Sequence, residues 1–359
     1  MESESAISVE SPIPLFPAMS SPPAVSPAVG QTWMERAPHK RLMLFSGRSN
    51  PELGQRIAEH LGLELGAAML KTFTNGEVYV RYEESIRGAD MFIVQSCSSP
   101  TNDSLMELLI MINAARLASA KRITAVMPWY PYSRQDKKSA PREPITSKLV
   151  ADMLEAAGAD RVLTMDLHAG QLQGFFNIPV DHMTAVPLLA EHFKLQVGDI
   201  PPEDIVVVSA DAGRTKLAKK FSEMLGTRWA LITKERPEQQ VAEVTNVIGR
   251  VRDKVAIVID DMIDTAGTLC AGGEALLDHG ATEVYACATH AIFSGNALET
   301  LAGSVFKQVV VTDTIPTNPI DRPPNVRVLS VAPILADTIS NVFNDDSVSG
   351  LFHGGNQLF

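Results

Sequence analysis

The sequence predicts an α/β protein with two similar domains, each a mainly parallel sheet flanked by helices. Short apolar runs alternate with helical patterns from Arg41 onward, and the same alternation recurs in the second half of the chain. The length of 359 residues exceeds the usual size of one domain, and a hydrophobic content of 45% is sufficient for two cores.

The individual elements follow from the position of each apolar run. The longest helix carries one continuous apolar face, and Asn102 is its predicted N-cap. The predicted helices of the first half are 51–61, 102–117 and 146–157. The predicted strands are 42–45, 68–71, 91–95, 123–127 and 161–165, and then 205–209, 229–233, 255–259, 284–288 and 308–311.

Composition suggests where the domains begin and end. Residues 1–38 are rich in Ser, Pro and Ala, which predicts a disordered tail. The first domain is expected over 39–185 and the second over 186–340, with a C-terminal segment 341–359 that packs on the first domain. Thr164, Met165 and Asp166 end one strand much as 258–260 end another, which suggests two copies of one fold.

Charge and cysteine usage limit the partners that we expect. A formal net charge of −11 argues against nucleic acid, although a local basic cluster can still bind phosphate. Cys97, Cys270 and Cys287 lack metal or redox spacing and are predicted to be reduced core residues. With no membrane-length apolar run and no signal-peptide pattern, a cytoplasmic protein without membrane contact is expected.

One segment predicts a sugar-phosphate site. The apolar run 255–259 is followed by Asp260 and Asp261, and then by Asp264, Thr265, Ala266, Gly267 and Thr268 at the start of a predicted helix. Free amides at a helix N-terminus and two hydroxyls suit a phosphate, and carboxylates accept hydrogen bonds from a diol. The alternative is an acidic first turn that only complements the helix dipole.

Two earlier segments have side chains suited to a nucleotide. Phe73, Asn75, Gly76 and Glu77 surround an Asn-Gly turn, which predicts either a plain hairpin or a purine-binding tip. Arg134 and Gln135 follow the strand that ends at Met127, where a guanidinium can bind phosphate oxygens. A solvated basic loop is the alternative for that segment.

Three further strand ends carry charged groups. His168 follows a strand in Asp166-Leu167-His168, and Asp211 follows another in the turn 209–214, so both are candidate metal ligands. Magnesium needs only one or two protein ligands. Lys234 and Arg236 lead into a polar stretch typical of a mobile loop that closes over a phosphate.

In this order, the segments resemble the phosphate-activated type of ribose-phosphate pyrophosphokinases, whose domains are similar to type I phosphoribosyltransferases. The resemblance runs from about Leu42 to Phe352 and implies transfer of a diphosphoryl group from ATP to ribose 5-phosphate. It implies magnesium, two ions per site with one carried by ATP. The implied roles are ATP binding by Phe73, Asn75, Gly76, Glu77, Arg134 and Gln135, catalysis by Lys234 and Arg236, metal binding by His168 and Asp211, and ribose 5-phosphate binding by Arg236, Asp260, Asp261, Asp264, Thr265, Ala266, Gly267 and Thr268.

The resemblance also implies a regulated assembly. Members form homo-oligomers, commonly hexamers, which ADP inhibits and phosphate activates. The matching positions are Ser85, Arg87, Arg142, Ser347, Ser349 and Phe352. Two rival functions remain at this stage, a nucleobase phosphoribosyltransferase and a non-catalytic homologue that joins synthetase complexes.

This chain departs from the family pattern in the turn that holds Asp211. Ala210 stands where proline is common, and Arg214 stands where a second glycine is common. A side chain at Arg214 is expected to reshape the turn. Ser139 stands where some members carry an acid.

Overall fold

The computed structural model describes residues 40–235 and 244–352. The predicted tail 1–38 and Arg236 lie outside the described residues. The elements of the first half are β1 (Leu42–Ser46), α1 (Pro51–Leu61), β2 (Ala68–Thr72), β3 (Val78–Tyr82), β4 (Asp90–Val94), α2 (Thr101–Leu117), β5 (Arg122–Met127), α3 (Thr146–Ala157), β6 (Arg161–Met165), β7 (Val180–Met183) and α4 (Val186–Gln196).

The second half follows with a similar series. Its elements are β8 (Ile205–Ser209), α5 (Thr215–Leu225), β9 (Arg228–Glu235), β10 (Val244–Ile248), β11 (Val255–Ile263), α6 (Gly267–Asp278), β12 (Glu283–Ala291), α7 (Ala297–Ala302), β13 (Gln308–Thr312), β14 (Val326–Leu329) and α8 (Ala332–Asn344). All the predicted strands and helices are present, with shifts of a few residues at their ends.

The two halves repeat one topology. The first sheet has the parallel order β1-β4-β5-β6-β7, and the second contains the parallel series β8-β11-β12-β13-β14. A hairpin follows the first helix in each half: β2–β3 forms a separate sheet, whereas β9–β10 extends the second sheet beside β8. The α/β fold with two similar domains is therefore confirmed.

This repeat pairs β11 with β4, and β13 with β6. The predicted equivalence of the strand ends at Asp166 and Asp260 is therefore wrong. Asp166 follows β6, which corresponds to β13 in the second half. Asp260 lies in β11, which corresponds to β4 in the first half. The segment equivalent to the sugar-phosphate loop is 95–100, which has no pair of acids.

The halves exchange their last helices. Helix α8 buries Leu335 and Ile339 against Leu44 and Ile57 of the first half, while α4 packs into the core of the second. Full burial of a leucine or isoleucine stabilises a fold by roughly 1.5–3 kcal/mol, so this exchange ties the halves together. The chain returns to the first sheet at Val331, earlier than position 341, and the predicted domain boundaries stay predictions.

Local chemistry explains how individual elements begin and end. Asn50 caps α1 by accepting a hydrogen bond from the Leu53 amide, Pro51 occupies the first turn, and Gly62 ends the helix in the left-handed region. Helix α2 begins at Thr101 after Pro100, so Asn102 is not its cap. Pro100 stands at the N-cap position, and its ring fixes the backbone there. The predicted cap was instead the side-chain oxygen of Asn102.

Burial agrees with the predicted core. Cys97, Cys270 and Cys287 are buried and form no disulfide, as expected for core thiols. Among the residues that the structure describes, no helix combines the length and the apolar composition needed to cross a membrane.

Candidate active site

The carboxyl ends of the two parallel sheets face each other and enclose the candidate site. His290 of β12 places Nε2 3.1 Å from the backbone oxygen of Asp166, which follows β6. Thr289 donates to Asp166 Oδ2 at 2.6 Å. Burial lowers the pKa of His290, so the neutral ring is favoured, and its Nε2–H then donates to that carbonyl. Side chains at several strand ends therefore converge on one cleft.

Strand β11 carries its acids further into the sheet than predicted. It extends to Ile263 instead of ending at Ile259, and Asp260 pairs with Ala288 of β12 in the strand register. Continued pairing keeps Asp261 only 4% exposed. Charged residues seldom continue a buried strand unless they are paired, which is why the prediction ended it at the first acid.

The loop after β11 has the shape expected of an anion site. Ala266 adopts φ +65° and is buried, whereas Thr265, Gly267 and Thr268 are exposed. No side chain caps α6, and the amide of Cys270 makes the first bond back to Ala266. The amides that precede Cys270 in α6 therefore face outward beside two hydroxyls.

Asp264 links this loop to the first half of the chain. Its Oδ2 accepts a hydrogen bond from Arg134 Nη1 at 2.7 Å. Burial would raise the pKa of Asp264, but hydrogen bonds from Ser294 and Arg134 bring it below the usual value. Asp264 therefore stays ionised and lines the smaller of two cavities described next.

Two cavities meet at Arg134. The smaller, of about 290 Å³, is lined by Arg134, His168, Ala210, Asp211, Arg214 and by Asp260–Ala266, Thr268 and Leu269. The larger, of about 840 Å³, is lined by Ser98–Asp103, Trp129, Tyr132–Gln135, Ile292–Gly295, Ile315 and Pro316. A guanidinium between two cavities can contact anionic groups in both.

The paired acids differ in their electrostatics. Burial, and after it the neighbouring Asp261, raises the pKa of Asp260 well above its usual range. Burial would also raise the pKa of Asp261, but the hydrogen bond with His168 and the charge of Arg214 bring it below the usual value. Asp261 therefore stays ionised, while Asp260 holds a proton more readily and can donate to an oxygen.

His168 is already occupied by protein groups. Its Nδ1 lies 2.8 Å from Asp261 Oδ2 and 2.5 Å from Arg214 Nη2. Asp211 uses Oδ1 to accept from the Arg214 amide at 3.0 Å. No described group of three or more His, Cys, Asp or Glu is arranged to hold a metal ion. The surroundings of His168 do not fit a divalent ion, because a cationic guanidinium lies where that ion would bind.

The structure keeps the hairpin residues away from these cavities. Phe73 is exposed and packs edge-on against Tyr79 at the tip of β2–β3. Asn75 accepts a hydrogen bond from the Glu77 amide, and Gly76 adopts φ +91°. None of these residues lines either cavity. The hairpin is confirmed, and their role in binding ATP stays a prediction.

Gln135 lies beside Arg134, as the sequence suggests. Its Oε1 accepts from Thr146 at the start of α3, and its backbone oxygen accepts from Ser147. These bonds hold the loop after β5 against α3. The loop is therefore fixed in place rather than merely solvated, and the role of Gln135 in binding ATP stays a prediction.

The predicted catalytic cations lie next to the undescribed segment. Lys234 belongs to β9, where its backbone pairs with Thr245 of β10, and the structure does not describe its side chain. Strand β9 runs parallel to β8, so its end approaches the same edge of the sheet as Asp211. The predicted roles of Lys234 and Arg236 stay predictions.

The predicted regulatory residues are spread over three regions. Ser85 and Arg87 line a cleft of about 440 Å³ between the β2–β3 hairpin and α2. Arg142 lies in the loop before α3, and Ser347 and Ser349 follow α8. The last three do not line that cleft. Phe352 ends a short helical turn, and its side chain is not described.

Several site residues were not identified from the sequence. Ser133 has a buried hydroxyl with no described hydrogen-bond partner and lines the larger cavity beside Trp129. Thr289 and His290 join the halves from the end of β12. Their position at a strand end is the pattern that identified the other candidates.

The acid-bearing strand, the hydroxyl-rich turn and the uncapped helix define an α/β protein with a candidate phosphate site at the edge of a parallel sheet. Residues 42–158 match the family model described as the N-terminal domain of ribose phosphate pyrophosphokinase, and residues 235–353 match the phosphoribosyl synthetase-associated domain. The chain belongs to the ribose-phosphate pyrophosphokinase family.

Full-length relatives agree with this assignment. A ribose-phosphate pyrophosphokinase of Caldanaerobacter subterraneus is 54% identical over 87% of this chain and 98% of its own length. One from a Nostoc species is 50% identical over 87% of this chain and 94% of its own length. The crystal structure of phosphoribosylpyrophosphate synthetase from Mycobacterium smegmatis covers 85% of this chain and 100% of its own, with 46% identity and a TM-score of 0.81.

Proposed function

We propose that this chain transfers the β,γ-diphosphoryl group of ATP to the C1 hydroxyl of ribose 5-phosphate. A bond forms between the C1 oxygen and the β-phosphorus, and the bond from that phosphorus to the α,β-bridging oxygen breaks. AMP leaves with the bridging oxygen, and the hydroxyl proton passes to solvent. The observation that carries this proposal is the position of Arg134, which lines two cavities and pairs with Asp264 between them.

The smaller cavity is the proposed acceptor site. Its helix terminus offers outward-facing amides and the hydroxyls of Thr265 and Thr268 to the 5-phosphate. Asp260 and Asp264 line this cavity and are the proposed acceptors for the ribose hydroxyls. This arrangement presents the C1 hydroxyl toward Arg134.

The larger cavity is the proposed ATP site. Arg134 binds the phosphate chain at the boundary between the cavities, and Gln135 contributes an amide beside it. Trp129 and Ser133 also line this cavity, and both are largely buried in its wall. Bringing two anionic substrates together requires positive charge at their junction, which Arg134 supplies.

Further charge neutralisation comes from the end of β9 and from the substrate. We propose that Lys234 and Arg236 reach the transferring phosphates from the polar segment after β9, as the family resemblance implies. Magnesium enters with ATP as part of the substrate and shields its phosphates. No step of this mechanism is assigned to a protein-held ion at His168, and metal binding by Asp211 stays a prediction.

The assembly and its regulators follow the family resemblance. We propose a homo-oligomer, a hexamer, with ADP as inhibitor and phosphate as activator. The cleft at Ser85 and Arg87 supports a regulatory anion site, because a serine hydroxyl and a guanidinium suit an anion. Sedimentation of the purified protein tests the oligomeric state, and assays of activity with added phosphate or ADP test the regulators.

The decisive assay measures AMP formed from ATP and magnesium, with and without ribose 5-phosphate. We expect AMP and 5-phosphoribosyl 1-diphosphate in equal amounts, and only with the sugar present. If the chain instead consumed 5-phosphoribosyl 1-diphosphate with a nucleobase and released diphosphate, it would be a phosphoribosyltransferase. Absence of both reactions would favour the non-catalytic homologue.

A further inference from the structure

Arg214 places a buried guanidinium at the centre of the candidate site. Its side chain is 8% exposed, and its Nη2 lies 2.9 Å from Asp261 Oδ2 and 2.5 Å from His168 Nδ1. Its Nη1 donates to the backbone oxygen of His168 at 2.8 Å, and its Nε lies 3.5 Å from Asp260 Oδ1. Arg214, which belongs to the second half, thus contacts Asp260 and Asp261 of its own half and His168 of the first half.

The turn before α5 directs this side chain inward. Asp211 accepts a hydrogen bond from the Arg214 amide, and Ser209 donates to the Asp211 backbone oxygen at 2.7 Å. These bonds fix the backbone of the short turn Ala212–Arg214, and the guanidinium enters the cleft. A buried charge is retained only when it is well paired, and here Asp261 and His168 provide the partners.

The same contacts exclude a divalent ion from His168. A metal ligand must offer a free lone pair on one imidazole nitrogen, and Arg214 Nη2 lies 2.5 Å from Nδ1 and 3.4 Å from Nε2 of His168. A divalent ion bound to His168 would lie beside the positively charged guanidinium of Arg214. The two positive charges would repel each other strongly in this buried site. Asp261, the nearest acid, already pairs with the guanidinium.

We propose that Arg214 is a built-in cation that takes the position beside His168 and Asp261 which a divalent ion would otherwise occupy. The charge of Asp261 is then neutralised by the protein itself, without any ion from solution. This inference rests on the proposed function in one respect. The divalent ion used in the reaction is then the one that ATP brings, because the protein holds none at His168.

The test counts bound Mn²⁺ by electron paramagnetic resonance in the full chain without nucleotide. We expect Arg214→Ala to bind one more Mn²⁺ per chain than the wild type, and the double variant with His168→Ala to lose that ion again. Arg327→Ala, which removes an exposed arginine of β14, is the matched control and should bind no additional ion. If Arg214→Ala fails to fold, Arg214→Met retains the stem of the side chain without its charge.

Two outcomes would overturn the proposal. One is a Mn²⁺ site in the wild type that His168→Ala alone removes, because Arg214 would then leave the position available. The other is a folded Arg214→Ala or Arg214→Met variant that gains no ion, because the guanidinium would then not be what excludes it. Neither ATP nor ribose 5-phosphate is used, so failure of the proposed reaction is a separate result.

Discussion

Arg134 Nη1 lies 2.7 Å from Asp264 Oδ2, so a loop of the first half is paired with the sugar-phosphate loop of the second. The arginine side chain is 53% exposed and the aspartate 27%. Exposed ion pairs contribute roughly 0–1 kcal/mol to folding, so this pair does little for stability. Its significance is positional, because it fixes a cation between two cavities.

We expect Arg134→Ala to lower kcat/KM by on the order of 10²–10³ while leaving the melting temperature almost unchanged. The reason is that Arg134 supplies charge to the reacting phosphates and little to the fold. Steady-state kinetics and thermal melting measure the two effects. Lys307→Ala breaks an exposed ion pair with Glu283 away from the cavities and should leave both quantities unchanged. A large fall in melting temperature for Arg134→Ala would instead indicate a structural role.

Ala266 is expected to tolerate glycine but not valine. It adopts φ +65°, a conformation that costs an L-residue about 1–2 kcal/mol, and its side chain is packed in the core of the second half. Ala266→Gly removes the strain and should melt at the wild-type temperature or slightly above. Ala266→Val adds β-branching and volume, and it should lower the free energy of unfolding by about 2 kcal/mol or more. Chemical denaturation measures both, and equal stability of the two variants would contradict the strain argument.

A feature of this site can be predicted from the sequence when the residues that form it are close together along the chain. The strand that leads to Asp260, the helix after Gly267 and the loop at Arg134 are local patterns, and each was predicted. The contact of Arg134 with Asp264 joins residues far apart in the chain, and no local period encodes it. The exchange of α4 and α8 between the halves is likewise a long-range packing choice that an apolar helical face does not specify.

Arg214 shows the same limit at a single residue. Its departure from the glycine expected in that turn is visible in the sequence, and a changed turn shape was the expected effect. The structure shows that the consequence lies in the side chain, which reaches His168 in the other half. Charged residues are usually exposed, so burial of this one depends on partners that only the fold brings together.

Lys234→Ala is expected to lower turnover by on the order of 10³ with much smaller changes in KM for ATP and ribose 5-phosphate. A cation that acts on the transferring phosphate stabilises the transition state more than either bound substrate. Lys219→Ala is the matched control, since Lys219 is an exposed lysine of α5 paired with Glu223. Near-wild-type turnover of Lys234→Ala would remove this residue from the mechanism.

Asp345 should make the docking of α8 sensitive to acid. Hydrogen bonds from Lys40 and Arg122 lower the pKa of Asp345 to about 2. Because this is below the value in the unfolded chain, the ionised carboxylate stabilises the fold above about pH 4, and that contribution is lost as the pH falls from about 4 toward 2. Asp345→Asn keeps a side chain that tolerates the left-handed backbone at φ +61° but removes the charge. We therefore expect the variant to melt below the wild type at pH 6, and the difference to shrink as the pH approaches 3 and at high salt.

Asp346→Asn is the matched control, because it changes a neighbouring exposed acid with no described ion pair, and it should show no such trend. A difference in melting temperature for Asp345→Asn that does not depend on pH would contradict this role of the carboxylate.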